Sequence, residues 1–432
     1  MRLKFIYLGV MALFLITKSQ AQDTPWDTLS KSVTKIQSDL AALKKLKISG
    51  YIQAQAQIAD SSGIASFAGG NFNTNTDNRF MVRRGRLKFT YDNKMSQYVL
   101  QIDVTEKGIG IKDAYVRFTE PWAKAFQATI GVFDRPFGFE IGYSSGNRET
   151  PERGRMSQTI FPGERELGAM LTFQMPTKSK LHFLKIDGGM FNGGGPTASD
   201  FDSQKDFIGR IHADKSLKES KIKLEMGVSY YYGGWRQGTS NVYSVSADAL
   251  GLSAFLQDKD TTNYGAISNR TYTGGDLQLS IKSKIGTTTL RGEYITGEQP
   301  GTSSTTASPS SQPTTDTYRR NFNGAYFYFI QDIMKTKHQF VLKYDWYDPN
   351  TDISDDDIGK SITAPSGKSF STTNKQDIAY STLGIGWTYH WDENVKIVAY
   401  YDLVVNEKSK NLAGYSKDLK DNVFTLRVQY KY

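Results

Sequence analysis

The chain has 432 residues, with 25 Tyr, 24 Phe, 39 Gly and no Cys. Its mean hydropathy of −0.48 excludes a bundle of membrane-spanning helices, each of which needs about 20 consecutive apolar residues. The missing cysteines exclude disulfides and thiolate metal clusters, and the net charge of +9 is spread without the basic block of a nucleic-acid binder. A polar chain this rich in aromatic residues and glycine favours alternating strands, as in a β-barrel.

The first 21 residues are typical of an export signal. Arg2 and Lys4 precede an apolar run over residues 5–16, and a small-x-small pattern ends at Ala21. The run is too short to cross about 30 Å of hydrocarbon. We therefore expect cleavage after Ala21 and export of the mature chain.

Residues 22–46 show the periodicity of a helix. An apolar residue recurs at alternating steps of three and four, which is the seam of a coiled coil. The seam consists of Trp26, Leu29, Val33, Ile36, Leu40 and Leu43. We predict a short periplasmic coiled-coil helix that associates with copies of itself as a homotrimer. The alternative is an amphipathic helix that lies on its own domain.

From residue 47 onward the period changes to two, which predicts a transmembrane β-barrel over residues 47–432. Along 48–58, apolar residues or glycine alternate with Ser, Tyr and Gln, and eleven residues suffice for a tilted strand to cross a bilayer. The alternation recurs near 80–91, 97–105, 111–119, 126–133, 166–175, 181–191, 207–215, 222–232, 271–282, 287–296, 321–331, 338–347, 378–389, 395–405 and 422–432. The fold class is thus all-β, an antiparallel barrel of about sixteen strands, with the even number that single-chain outer-membrane barrels have.

The connections between these strands also indicate a membrane barrel. Short turns alternate with long segments, as expected when turns lie on the periplasmic side and loops on the other. The long segments are 60–79, 134–165, 233–269, 297–318, 348–377 and 406–421. The chain ends on Tyr432 after an alternating strand, which suits a closing strand that faces lipid. We therefore expect an outer-membrane protein surrounded by outer-membrane lipid.

Candidate pore-lining residues come from the polar side of the alternation. Arg84, Arg86 and Lys88 share one parity on the second strand, and Arg117 has the inward parity on the fourth. Such a row lowers the electrostatic barrier for anions and offers donors to phosphate-like oxygens. The alternative is a structural row that pairs with acidic neighbours.

The long segment 134–165 is the candidate constriction loop, since a loop this long in an ordered domain is usually functional. We expect it to fold inward and to limit the size of solutes. Its candidate site residues are Arg135, Arg148, Arg153, Arg155 and Arg165. Five acidic residues balance them, namely Asp134, Glu140, Glu149, Glu152 and Glu164.

Several stretches resemble the phosphate-selective porins O and P. They are KISGYIQ at 47–53, RRGRL at 83–87, IKDAYV at 111–116, GVFDRPFG at 131–138 and GERELG at 163–168. The resemblance implies a sixteen-stranded trimeric outer-membrane porin whose third loop narrows the pore. It also implies that phosphate is selected by lumen basic residues, which here match Arg84, Arg86, Lys88 and the arginines of 134–165.

No catalytic or metal-binding constellation stands out in the sequence. The four histidines are dispersed, no nucleophile is paired with a base, and we expect neither enzymatic activity nor a cofactor or metal. We therefore predict passive diffusion of small hydrophilic solutes, with a preference for anions such as phosphate. The alternatives are a barrel that serves as an adhesin or scaffold, and a channel for another nutrient such as an oligosaccharide.

Overall fold

The structure is a computed structural model that describes residues 25–217, 221–247, 253–361 and 370–432. The expected export signal, residues 1–21, lies outside these ranges. The chain consists of two compact units, one up to Leu46 and one from Lys47 to Tyr432.

The first unit contains one described helix, α1 (Pro25–Leu43), within the segment predicted as helical. Its seam is open to solvent, since Leu29 is 54% exposed and Ile36 is 65% exposed. No described helix is both long and apolar enough to cross a membrane. The helix is present as predicted, and its association into a coiled coil stays a prediction.

The described residues of the second unit form one sheet of nineteen strands. Sixteen of them, all except β10, β11 and β16, form a ring of antiparallel neighbours in chain order, and β1 pairs with both β2 and β19 to close it. The predicted antiparallel barrel of sixteen strands is confirmed. The strands are β1 (Leu46–Ala59), β2 (Asn78–Asn93), β3 (Ser96–Thr105), β4 (Gly108–Thr119), β5 (Phe126–Asp134), β6 (Arg165–Gln174), β7 (Leu184–Phe191), β8 (Asp206–Leu217), β9 (Ile222–Arg236), β10 (Asn241–Ala247), β11 (Ser253–Lys259), β12 (Ile267–Ser283), β13 (Gly286–Gly301), β14 (Thr317–Asp332), β15 (His338–Asp348), β16 (Phe370–Ser371), β17 (Tyr380–His390), β18 (Val395–Asn406) and β19 (Val423–Lys431).

Strand β1 shows how the sequence pattern becomes two faces. Ile52 and Ile58 point outward and are 52% and 60% exposed, whereas Gln53 and Gln57 point inward and are each 1% exposed. The register with β19 places Gln55 opposite Arg427, another buried inward residue. An apolar outer face and a polar inner face are what a membrane barrel requires.

Three short strands were not predicted. The β10–β11 hairpin lies in the long segment after β9, and β10 pairs in parallel with the start of β14. The two-residue strand β16 pairs with β11. These strands add to the end of the barrel and do not cross it, so the eleven-residue alternation that reveals a spanning strand is missing.

The two faces predict different responses to an added charge. Replacing the outward Leu277 of β12 with arginine should lower the free energy of unfolding by up to about 2–4 kcal/mol, because the guanidinium would enter the hydrocarbon. Replacing Ser280 with arginine should lower the free energy of unfolding clearly less, because Ser280 has the inward parity on the same strand. Urea unfolding in lipid vesicles measures both, and equal losses would contradict the assignment of faces.

Candidate functional site: the constricted lumen

The segment between β5 and β6, residues 135–164, lies inside the barrel; we call it the constriction loop. It crosses the lumen and reaches strands on several sides. The Gly138 amide donates to Ser229 Oγ of β9 at 2.9 Å, and the Arg155 amide donates to Asp345 of β15 at 3.3 Å. On the far side, Gln429 of β19 donates to the Gly146 carbonyl at 2.9 Å.

A hydrophobic core fixes one side of the constriction loop. The loop contains the short helix α2 (Arg155–Ile160), and its apolar residues pack against inward residues of β5 to β9 and β12 to β15. The loop contributes Phe137, Ile141, Met156, Ile160 and Phe161, and the wall contributes Phe133, Met170, Phe191, Ile208, Tyr231, Tyr272, Ile295, Phe322 and Tyr347. Burying one such side chain stabilises by about 1.5–3 kcal/mol. This part of the lumen is therefore packed rather than open.

The carboxylate of Glu152 is a main contact on the other side of the loop. Glu152 accepts from Arg83 at 2.9 Å, from Arg84 at 2.7 Å and from Arg427 at 2.8 Å. Burial alone would raise the pKa of Glu152, but the three guanidinium groups together hold it well below the ordinary value of a glutamate. The loop is thus tied by charge to β2 and β19.

Arg83 is a site residue that strict alternation misses. Arg83 and Arg84 are neighbours on β2, yet both side chains reach the same inward carboxylate. The alternation therefore breaks at this point, as it does where an extra residue bulges from a strand. The sequence did contain one signal that Arg83 faces inward, namely its charge, because an arginine on the lipid face would be energetically costly.

The predicted pore-lining residues lie inside the barrel, and most of them have partners. Arg84 binds Glu152, and Arg86 donates to Asp103 at 3.1 Å. Arg117 donates to Thr129 at 3.2 Å. Lys88 is half-buried and makes no hydrogen bond or ion pair with the described residues. Of the basic row on β2, only Lys88 keeps an unpaired charge.

Three of the five predicted arginines in segment 134–165 are also paired. Arg135 binds Glu166 at 2.6 Å, and Arg165, the first residue of β6, binds Asp113 and Asp134, each at 3.0 Å. Arg153 forms an ion pair with Glu164 and donates to three backbone carbonyls of the loop. These side chains hold the loop in shape.

Arg148 is different, because its guanidinium has no partner. The residue is 2% exposed, and its Nε, Nη1 and Nη2 atoms are buried without a hydrogen bond to any described residue. Lys396 of β18 lies beside it and donates to the Arg148 carbonyl at 2.8 Å. A buried cation without an acceptor is costly.

Arg155 also makes no ion pair with a described residue. Its guanidinium lies between the rings of Phe67 and Tyr380, at 4.4 Å and 3.6 Å from their centroids. It borders a cleft between the constriction loop and the wall, which offers about 30 Å³ to water. We call this the charged cleft; its polar lining is Glu152, Arg153, Arg155, Lys343, Asp345, Thr382, Asp402 and Asp421.

No protein-family model matches the sequence, and no curated protein matches it either. Solved structures do match. The outer membrane channel DcaP of Acinetobacter baumannii has a TM-score of 0.50 at 12% identity, over 90% of this chain and 97% of that one. The present chain therefore shares a β-barrel fold with that channel. A second similar structure is OmpT of Vibrio cholerae in its trimer form, with a TM-score of 0.49 at 7% identity, over 90% of this chain and 99% of that one. A third is OmpF of Salmonella typhi in complex with daunomycin, with a TM-score of 0.48 at 10% identity, over 90% of this chain and 97% of that one. At these identities the likeness shows the fold alone.

Removing the Glu152 carboxylate should free the constriction loop on its charged side. In E152Q, the buried guanidinium groups of Arg84 and Arg427 and the partly buried one of Arg83 lose their counter-charge. We therefore expect stability to fall by about 3–5 kcal/mol and single-channel current to become noisier. Thermal melting in detergent and planar-bilayer recording measure the two effects.

The matched control is E393Q, which removes an exposed carboxylate from the β17–β18 turn. It should leave both measurements unchanged. If E152Q behaved like this control, the carboxylate would not anchor the loop.

Proposed function

We propose that the protein is an outer-membrane channel for passive diffusion of small hydrophilic solutes. The observation that carries this proposal is a closed barrel with an apolar outer face and a charged interior narrowed by an inserted loop. The similar structure from Acinetobacter baumannii is itself described as an outer membrane channel. Residues 1–21 would serve as the export signal, and no catalytic role is part of the proposal.

Planar-bilayer conductance tests the channel directly. The purified protein should give stepwise open-channel currents in salt solution. A barrel that inserts but passes no current would instead support the alternative of an adhesin or scaffold.

The alternative of an oligosaccharide channel has less support. Sugars stack on accessible aromatic faces, yet the inward rings Tyr231, Tyr272 and Phe322 are buried at 2% exposure or less. They pack in the hydrophobic core beside the constriction loop. Their faces are therefore occupied by other side chains.

We further propose a preference for anions such as phosphate, in line with the resemblance to the phosphate-selective porins O and P. The support comes from inward cations without acidic partners among the described residues, of which Lys88, Arg148 and Lys396 are examples. Arg84 and Arg86 contribute less, because Glu152 and Asp103 neutralise them. Unpaired lumen cations lower the barrier for anions.

The anion preference predicts a sign in a salt gradient. Reversal potentials should show anions to be more permeant than cations, and R148Q and K88Q should each reduce that preference. The control is K107Q, which removes an exposed charge from the tight β3–β4 turn. A wild-type channel that prefers cations would contradict the proposal.

We also propose a homotrimer, supported by the open apolar seam of α1. The double variant I36E/L40E places charges in this seam and should shift most of the protein from trimer to smaller species. S38E, on the opposite side of the same helix, should not. Light scattering in detergent measures the mass, and an unchanged trimer in I36E/L40E would show that the helix does not hold the copies together.

A further inference from the structure

The charged cleft contains groups that the constriction loop does not neutralise. Glu152 is held by three arginines, Arg153 by Glu164, and Lys343 by Asp345 at 2.8 Å. Three charged groups remain without an ion pair to a described residue: Arg155 on the loop, and Asp402 and Asp421 on the wall side. The cleft thus has one free cation facing two free carboxylates.

Two of these charged groups, Asp421 and Arg155, contain buried polar atoms that have no hydrogen-bond partner among the described residues. Asp421 is 7% exposed, and its Oδ1 has no hydrogen-bond partner among the described residues. The Nε of Arg155 is likewise buried without a partner. Polar atoms in this state are costly unless a ligand or water completes them.

The positions of these groups are set by different parts of the fold. Asp402 lies opposite Val423 in the β18–β19 register, so Asp421, two residues before Val423, is close to it along the wall. Arg155 comes from the constriction loop and is held between Phe67 and Tyr380. The constriction loop therefore presents the positive group, whereas β18 and the end of the β18–β19 loop present the negative ones.

Asp421 lies in the loop between β18 and β19, and burial raises its pKa to about 6, with the charge of Arg155 opposing the rise. Asp421 is therefore mostly a carboxylate at neutral pH.

We propose that the charged cleft is a transient binding site for small zwitterions, solutes that carry both a carboxylate and an ammonium group. The carboxylate of the solute binds Arg155, and its ammonium binds Asp402 and Asp421. This inference rests on the proposed channel function and names a class of solute for it.

The narrowness of the cleft is the physical reason for the selection. The cleft has only about 30 Å³ of room for water, so a solute that enters it loses part of its hydration shell. A charged group that loses water needs a fixed partner of opposite sign. Inside the charged cleft, a simple anion leaves Asp402 and Asp421 without partners and a simple cation leaves Arg155 without one, whereas a zwitterion finds a partner for each of its charges.

Liposome swelling tests the proposal with four solutes of similar size: glycine, glycolamide, glycolate and ethanolamine. Vesicles that contain the full-length wild-type channel should admit glycine about two- to fivefold faster than the neutral glycolamide, the range expected for partly hydrated ion pairs. The double variant D402N/D421N and the single variant R155Q should each abolish this advantage. R155K, which keeps the charge, should restore part of it.

E393Q is the matched control and should keep the wild-type order of rates. Equal rates for glycine and glycolamide in wild type would overturn the inference, as would an advantage that persists in D402N/D421N. Salt conductance, recorded on the same preparations, separates the two proposals. A conducting channel without the glycine advantage refutes only the zwitterion site, and a preparation without conductance refutes the channel itself.

Discussion

The structure depends on the absence of water from hydrocarbon. A strand exposed to lipid cannot leave its amide and carbonyl groups unbonded, so the sheet has to close, and β1 meets β19 to do so. Closure also fixes a direction for each side chain. Ile52 and Gln53 are neighbours in the chain, but one faces lipid and the other faces the interior.

Two kinds of interaction inside the barrel together hold the constriction loop in position. Phe137 and Phe161 pack in a dry core on one side, and Glu152 is bound by arginines on the other. The core resists movement without depending on charge, whereas the carboxylate also neutralises Arg83, Arg84 and Arg427. The loop thus narrows the lumen and decides which charges in it stay free.

Pairing therefore separates the lumen charges that hold the structure together from those that have no partner among the described residues. Arg86 and Arg135 are buried with carboxylates and contribute mainly to the shape of the pore. Arg148, Arg155 and Asp421 have buried polar atoms without partners among the described residues, which is a costly state. The proposed anion preference depends on Lys88 and Arg148, and the proposed zwitterion site depends on the mixed charges of the charged cleft.

The sequence by itself determined the sixteen spanning strands, because a period of two over nine to eleven residues has few other physical explanations. It also located the segment that became the constriction loop. It could not assign Arg83, whose side chain turns inward only where the alternation breaks, nor could it tell which arginines are paired. Glu152 is 69 residues from Arg83 and 275 from Arg427, so only the closed barrel brings them together. The same holds for Arg155 and Asp421, since an alternating pattern records the face of a residue but not its distant partner.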